Sequence, residues 1–129
     1  MDARIRAHRI LRKIGRVKWV GDDREMKAEN LNGLGEKICL YDQIKESGSS
    51  IDFYERGFRI ELGGKAQVFS YQEISSVRAL GEDKRSASLM FSSFDGREVG
   101  FRPFSDGKIN DAWELLRFFN RVGEDLKKE

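Results

Sequence analysis

The chain has 129 residues, of which 39% are hydrophobic and 36% charged, with one proline and one cysteine. That is about one domain's worth of sequence, enough to bury a core without a metal or a disulfide. The composition excludes a disordered chain, a collagen-like chain and a disulfide scaffold, and no apolar run approaches a membrane span.

The net charge of +2 hides an asymmetry. Arg4, Arg6, Arg9, Arg12, Lys13, Arg16 and Lys18 face only Asp2 within the first twenty residues, a local charge of +6. The rest of the chain carries seventeen basic and twenty-one acidic residues, a local charge of −4. A basic head on a mildly acidic body differs from a uniformly basic nucleic-acid binder, and a polyanion would meet the head first. The head is Arg-rich like a mitochondrial presequence but has no serine, and it lacks the apolar run of a secretory signal. Cys39 has no partner for an internal disulfide, and its apolar neighbours predict a small buried hydrophobe. A reducing, cytoplasmic location is expected, with attachment to a membrane surface as the alternative.

In chain order, Ala3, Ala7, Ile10, Ile14 and Val17 recur at helical spacing, and the basic residues fill the remaining circumference. This predicts an amphipathic helix over residues 3–20. Gly15 costs it about 1 kcal/mol relative to alanine, enough for a kink or an early end. Asp22-Asp23-Arg24-Glu25 looks like the acidic first turn of a second short helix ending near Asn32-Gly33. From Lys37 the period changes to two. Ile38–Ile44, Ile51–Glu55, Phe58–Leu62, Ala66–Tyr71, Ile74–Leu80, Ala87–Phe94 and Arg97–Phe104 read as seven short strands. Gly63-Gly64 and Asp95-Gly96 read as hairpin turns, the latter of type I′.

A helix over about 108–127 closes the chain, with Ser105, Asp106 and Asn110 as candidate N-caps. Its apolar residues, Ile109 through Leu126, cover about 220° of its circumference, more than one sheet needs. Trp113 and Phe118 lie at the margins of that arc. The surplus calls for a second packing partner: the N-terminal helix by preference, otherwise another protomer or a ligand protein.

The run Ile51-Asp52-Phe53-Tyr54-Glu55-Arg56-Gly57-Phe58-Arg59-Ile60, followed by Phe69-Ser70-Tyr71-Gln72-Glu73-Ile74-Ser75-Ser76-Val77, resembles bacterial domains of the pleckstrin-homology (PH) and GRAM types. Ile109–Phe119, with Asp111-Ala112-Trp113, sits where their closing helix would be, and the resemblance covers about residues 36–127. It implies an α+β fold: a seven-stranded antiparallel barrel-like sandwich closed by a C-terminal helix over residues 35–129, with residues 1–34 as a basic helical extension. It also implies a non-catalytic interaction module, because such domains bind lipids, peptides, proteins or one another. Their phosphoinositide signature is a basic cluster in the first inter-strand loop. Here Lys45 stands there with Glu46 and Asp52, so specific inositol-phosphate recognition is not expected.

Catalytic signals are weak. His8 is the only histidine and sits among arginines, which leaves no metal-ligand spacing and no Ser-His or Cys-His pair. Asp22-Asp23 and Glu82-Asp83 fall in polar stretches without the burial that tunes an acid or base. Gly63-Gly64-Lys65 lacks the rest of a phosphate loop and reads as a hairpin. No enzyme, cofactor, metal or small-molecule substrate is expected. Phe53, Phe58 and Phe91 fall on core positions, whereas Phe69 with Tyr71, and Phe94 with Phe104, are either barrel corners or an exposed patch. The candidate protein-contact residues are Trp113, Phe118, Phe94 and Phe104. The seven basic residues of the head are the candidate anionic-surface site. The reading that follows is protein recognition or self-association through a sheet edge or the closing helix. The alternative is peripheral attachment to anionic lipid by the basic helix, with nucleic acid a lesser partner.

Overall fold

The computed structural model describes residues 2–22, 26–42, 49–81, 87–104 and 111–129. Within them the chain is α+β, with two antiparallel sheets and a C-terminal helix. The strands are β1 (Val17–Trp19), β2 (Asn30–Leu31), β3 (Gly35–Asp42), β4 (Ser50–Tyr54), β5 (Gly57–Leu62), β6 (Lys65–Ser70), β7 (Ile74–Leu80), β8 (Ser88–Ser93) and β9 (Glu98–Phe101). Two helices, α1 (Arg4–Ile10) and α2 (Ala112–Lys127), begin and end the chain. The first sheet runs β1-β3-β4-β5-β6, with β2 also paired to β3, and the second runs β7-β8-β9.

The seven predicted strand segments correspond to β3–β9, but two corrections follow. Among the described residues there are nine strands rather than seven, because β1 and β2 arise from the N-terminal region, and the two sheets do not close into a barrel. The helix predicted over 3–20 is also too long. It ends at Ile10, tightens into a 3₁₀ turn over Leu11–Lys13, and turns extended at Ile14. Gly15 lies in the turn that follows, and Val17 and Trp19 then bury alternate side chains opposite Tyr41 and Cys39. The helical spacing of Val17 was a coincidence of periods: a three-residue strand carries too little pattern to oppose it. The second short helix is replaced in its described part by Asn30–Leu31 paired to β3; residues 23–25 lie outside the described residues.

The turns follow glycine chemistry. Gly63 and Gly64 both have positive φ, as a type I′ turn requires. At Asp95-Gly96 only the glycine does, so the connection is a three-residue loop ending in a left-handed glycine rather than type I′.

The core lies between the sheets under α2. Phe53, Phe58, Phe69, Tyr71, Phe91 and Phe101 come from the strands, and Leu115, Phe118, Phe119 and Val122 from the helix. Phe69 and Tyr71 are buried, which settles their alternative in favour of core. The N-terminal residues Ala3, Ala7, Ile10, Leu11, Ile14, Val17 and Trp19 join the same core. Arg6 fixes α1 to α2 by donating from both its Nε and its Nη2 to Asp125, at 2.8 and 2.9 Å. The favoured partner for the surplus face of the closing helix is therefore present.

Asp111 stands at the N-cap position before α2, and its buried carboxylate does not cap the helix. It instead accepts from the Tyr41 hydroxyl at 2.7 Å and lies 3.5 Å from Arg16. The predicted caps at 105, 106 and 110 lie outside the described residues, as does Lys45.

The burial of α1 and the turn after it makes a direct prediction. Leu11→Ala removes a side chain with no exposed surface and should cost about 2–5 kcal/mol in urea unfolding. Ile5→Ala, on the solvent side of the same helix at 65% exposure, should change stability by less than about 0.5 kcal/mol.

Candidate functional site

Among the described residues β7 is an edge strand: it pairs with β8 on one side and with no described strand on the other. α2 crosses the inner face of that edge. Between them lies a groove of about 520 Å³, floored by Ile74, Val77, Phe119, Val122 and Leu126 and rimmed by Gln72, Asn120, Glu124 and Lys127. An apolar floor beside an open row of backbone donors and acceptors matches the chemistry of an added strand.

Local sequence builds this edge. The chain leaves β6 through a capping box. Glu73 N–H donates to the Ser70 hydroxyl at 3.3 Å, and Ser70 N–H donates back to the Glu73 carboxylate at 3.0 Å. That 3₁₀ turn carries the chain from the first sheet to the second and sets the start of β7. The β8–β9 hairpin is tied to it, because Phe94 N–H donates to the Glu73 carbonyl at 2.9 Å.

Phe94 stands at the groove's end and is 77% exposed. Its hairpin is held firmly. Ser93 N–H bonds the Arg97 carbonyl, Arg97 N–H bonds the Ser93 hydroxyl, and the Ser93 hydroxyl also contacts Asp95. The Ser93 hydroxyl, and then Arg97, hold the Asp95 carboxyl below its usual range. A large aromatic side chain is thus presented to water on a rigid turn.

The other predicted contact residues separate. Phe118 is fully buried, stacked edge-on against Phe53, so it belongs to the core and offers no surface. The arc margin that marked it is the side on which the strands' aromatic residues pack. Phe104 is partly covered by the Arg16 guanidinium, 3.2 Å from its ring centroid. Trp113 is 43% exposed on α2, outside the groove. Only Phe94 lines it. The reading missed Ile74 and Val77 as groove residues because a strand's periodicity does not tell which edge lacks a neighbour. Val122 and Leu126 did lie in the helix's apolar arc.

The basic head is largely spent on the body. Arg4 reaches Glu36 and Glu55, Arg6 holds Asp125, Arg12 pairs with Asp22 at 2.6 Å, and Arg16 meets Asp111. Arg9 and Lys13 are exposed and Lys18 is half-buried. Ala3, Ala7, Ile10 and Leu11, the face an interfacial helix would insert, are buried.

Two further polar clusters are built into the scaffold. Asp52, nearly buried on the outer face of the first sheet, receives Lys37 at 2.8 Å and Arg59 at 2.8 and 2.9 Å. Cys39 has no exposed surface, and burial pushes its thiol far up, which keeps it protonated. Among the described residues no three His, Cys, Asp or Glu side chains converge as a metal site would require, and no helix is long and apolar enough to cross a membrane. No family model, curated protein or solved structure matches the chain.

His8 supplies a pH prediction. Its ring stacks on Trp19 at 4.7 Å and accepts from Arg12 Nε at 3.3 Å, so protonation of Nδ1 breaks that bond beside a cation. Burial, then Arg12 and Arg4, lower its pKa, against a smaller opposing pull from Asp22. A group with a depressed folded pKa of this sign takes up its proton more readily when unfolded. The wild-type chain should therefore lose stability as pH falls through about 6.5. The His8→Gln chain should lack that component when urea midpoints are compared between pH 7.5 and pH 5.

Proposed function

We propose that this chain is a non-catalytic recognition module of PH-like architecture that binds an extended segment of a partner protein by strand addition to β7. The order of four strands, three strands and a closing helix, β3–β6, β7–β9 and α2, supports the PH-like reading. The observation that carries the function is Phe94. A rigid aromatic at 77% exposure, beside an apolar groove and an open strand edge, is the kind of anchor that dominates protein interfaces. Main-chain hydrogen bonds to β7 would supply affinity, and alternate side chains of the added strand would enter the groove.

The competing reading, attachment of the basic helix to anionic lipid, has a structural obstacle. The apolar face of α1 is already occupied, and insertion would require it to leave the core and break the Arg6–Asp125 pair. Of the seven basic residues of the head, Arg9, Lys13 and the partly exposed Lys18 are those without an ion pair among the described residues.

Panning a random linear peptide library against the full chain tests the proposal. Selected peptides should shift the NMR resonances of β7 and the second half of α2. Phe94→Ala should weaken them by about tenfold or more while changing stability by less than about 0.5 kcal/mol. Peptide binding that maps elsewhere, or no peptide selected, would overturn it, and binding to anionic vesicles lost in an Arg9→Ala/Lys13→Ala chain would then favour the lipid reading.

A further inference from the structure

Gly123 lies inside α2, four residues before its end, and lines the groove. Glycine within a helix destabilises it relative to alanine, so such a position needs a reason. Nothing among the described residues supplies one. A Cβ built at Gly123 meets no described atom within 4 Å beyond its chain neighbours and the helix's own backbone, and the backbone there is ordinary helix. Gly57 shows the contrast, because a Cβ there would lie 2.3 Å from the Phe69 carbonyl oxygen. The absent side chain at Gly123 leaves open space in the groove.

The charges around the groove are uneven as well. Glu73 is engaged by Arg97 at 3.5 Å and Glu124 by Arg121 at 3.1 Å. Arg78, exposed on the face of β7 opposite the groove, and Lys127, exposed on the rim, have no ion-pair partner among the described residues. Two exposed cations without an ion pair among the described residues thus flank this edge. On an added strand, side chains that alternate away from the groove would stand beside Arg78.

Resting on the strand-addition reading, we propose that the groove takes an extended acidic segment of a partner protein. Its groove-facing apolar side chains cross α2 at Gly123, and an outward Asp or Glu pairs with Arg78. Gly123 is then a specificity-determining position, kept without a side chain to admit the segment at a cost to the helix.

The test uses peptides selected from the random library on the wild-type chain, and repeats the selection on Arg78→Glu, Gly123→Ala and Gly123→Leu chains. Wild-type peptides should alternate apolar and polar residues and carry an Asp or Glu, and Arg78→Glu should select Lys or Arg at that position instead. Gly123→Ala should raise the melting temperature, and Gly123→Leu should weaken wild-type peptides by about tenfold or more. Peptides that map to β7 and α2 yet bind the Gly123→Leu chain equally well, or that show no charge reversal with Arg78→Glu, overturn this inference and leave strand addition standing. Peptides that map away from β7, or none selected at all, overturn both.

Discussion

Phe119 joins the two sheets. Its ring lies 5.8 Å from Phe53 and 4.9 Å from Phe58 in the first sheet, and 4.9 Å from Phe91 in the second. Phe118 beside it meets Phe53 at 5.2 Å and Tyr71 at 6.0 Å. Among the described residues no ladder runs between the sheets, so their relative placement rests on aromatic contacts, those of Phe119 together with Phe58–Phe91 at 5.4 Å and Tyr41–Phe101 at 6.0 Å, and on the 3₁₀ turn that links β6 to β7. Pairs of this kind contribute about 0.5–1.5 kcal/mol each beyond the apolar area they bury. Two adjacent phenylalanines on one helix make the contact because residues 100° apart can both face a cleft formed by two sheets.

That constraint produces the groove. With α2 seated on Phe118 and Phe119, its C-terminal half extends past the aromatic cluster and runs beside β7 without filling the space. Val122 and Leu126 are left facing Ile74 and Val77 across it. On the other side of α2 the N-terminal segment closes the structure, tied by Arg6 to Asp125 and by Arg16 to Asp111, which also accepts from Tyr41 of β3. The positive head and the acidic body are therefore largely two halves of one set of contacts. Exposed basic residues without an ion pair among the described residues include Arg9 and Lys13 near α1 and Arg78 and Lys127 by the groove, with Lys27, Arg56 and Lys65 elsewhere.

Much of the architecture was legible because period-two alternation and glycine turns are local. Every predicted strand segment from Lys37 onward has a counterpart, and the over-wide apolar arc of the closing helix correctly implied two packing partners. What was not legible depends on distant contacts. Val17 and Trp19 fit a helix by spacing, and only pairing with Tyr41 and Cys39 makes them a strand. Phe118 at the edge of an arc reads as surface until Phe53 and Tyr71 are brought to it. Closure failed for the same reason, since alternation gives strands but not which edges meet. Gly123 gave no signal, because a glycine in a helical stretch has meaning only when the space in front of it is known.

The most direct measurement is amide hydrogen exchange along β7 in the free protein. An edge strand paired only to β8 has every other N–H committed to that ladder and the alternate ones open to solvent. The account predicts alternating protection along 76–80, with the β8-facing amides slow and their neighbours fast. Uniformly strong protection along β7 would mean that the edge is already covered, and would contradict it.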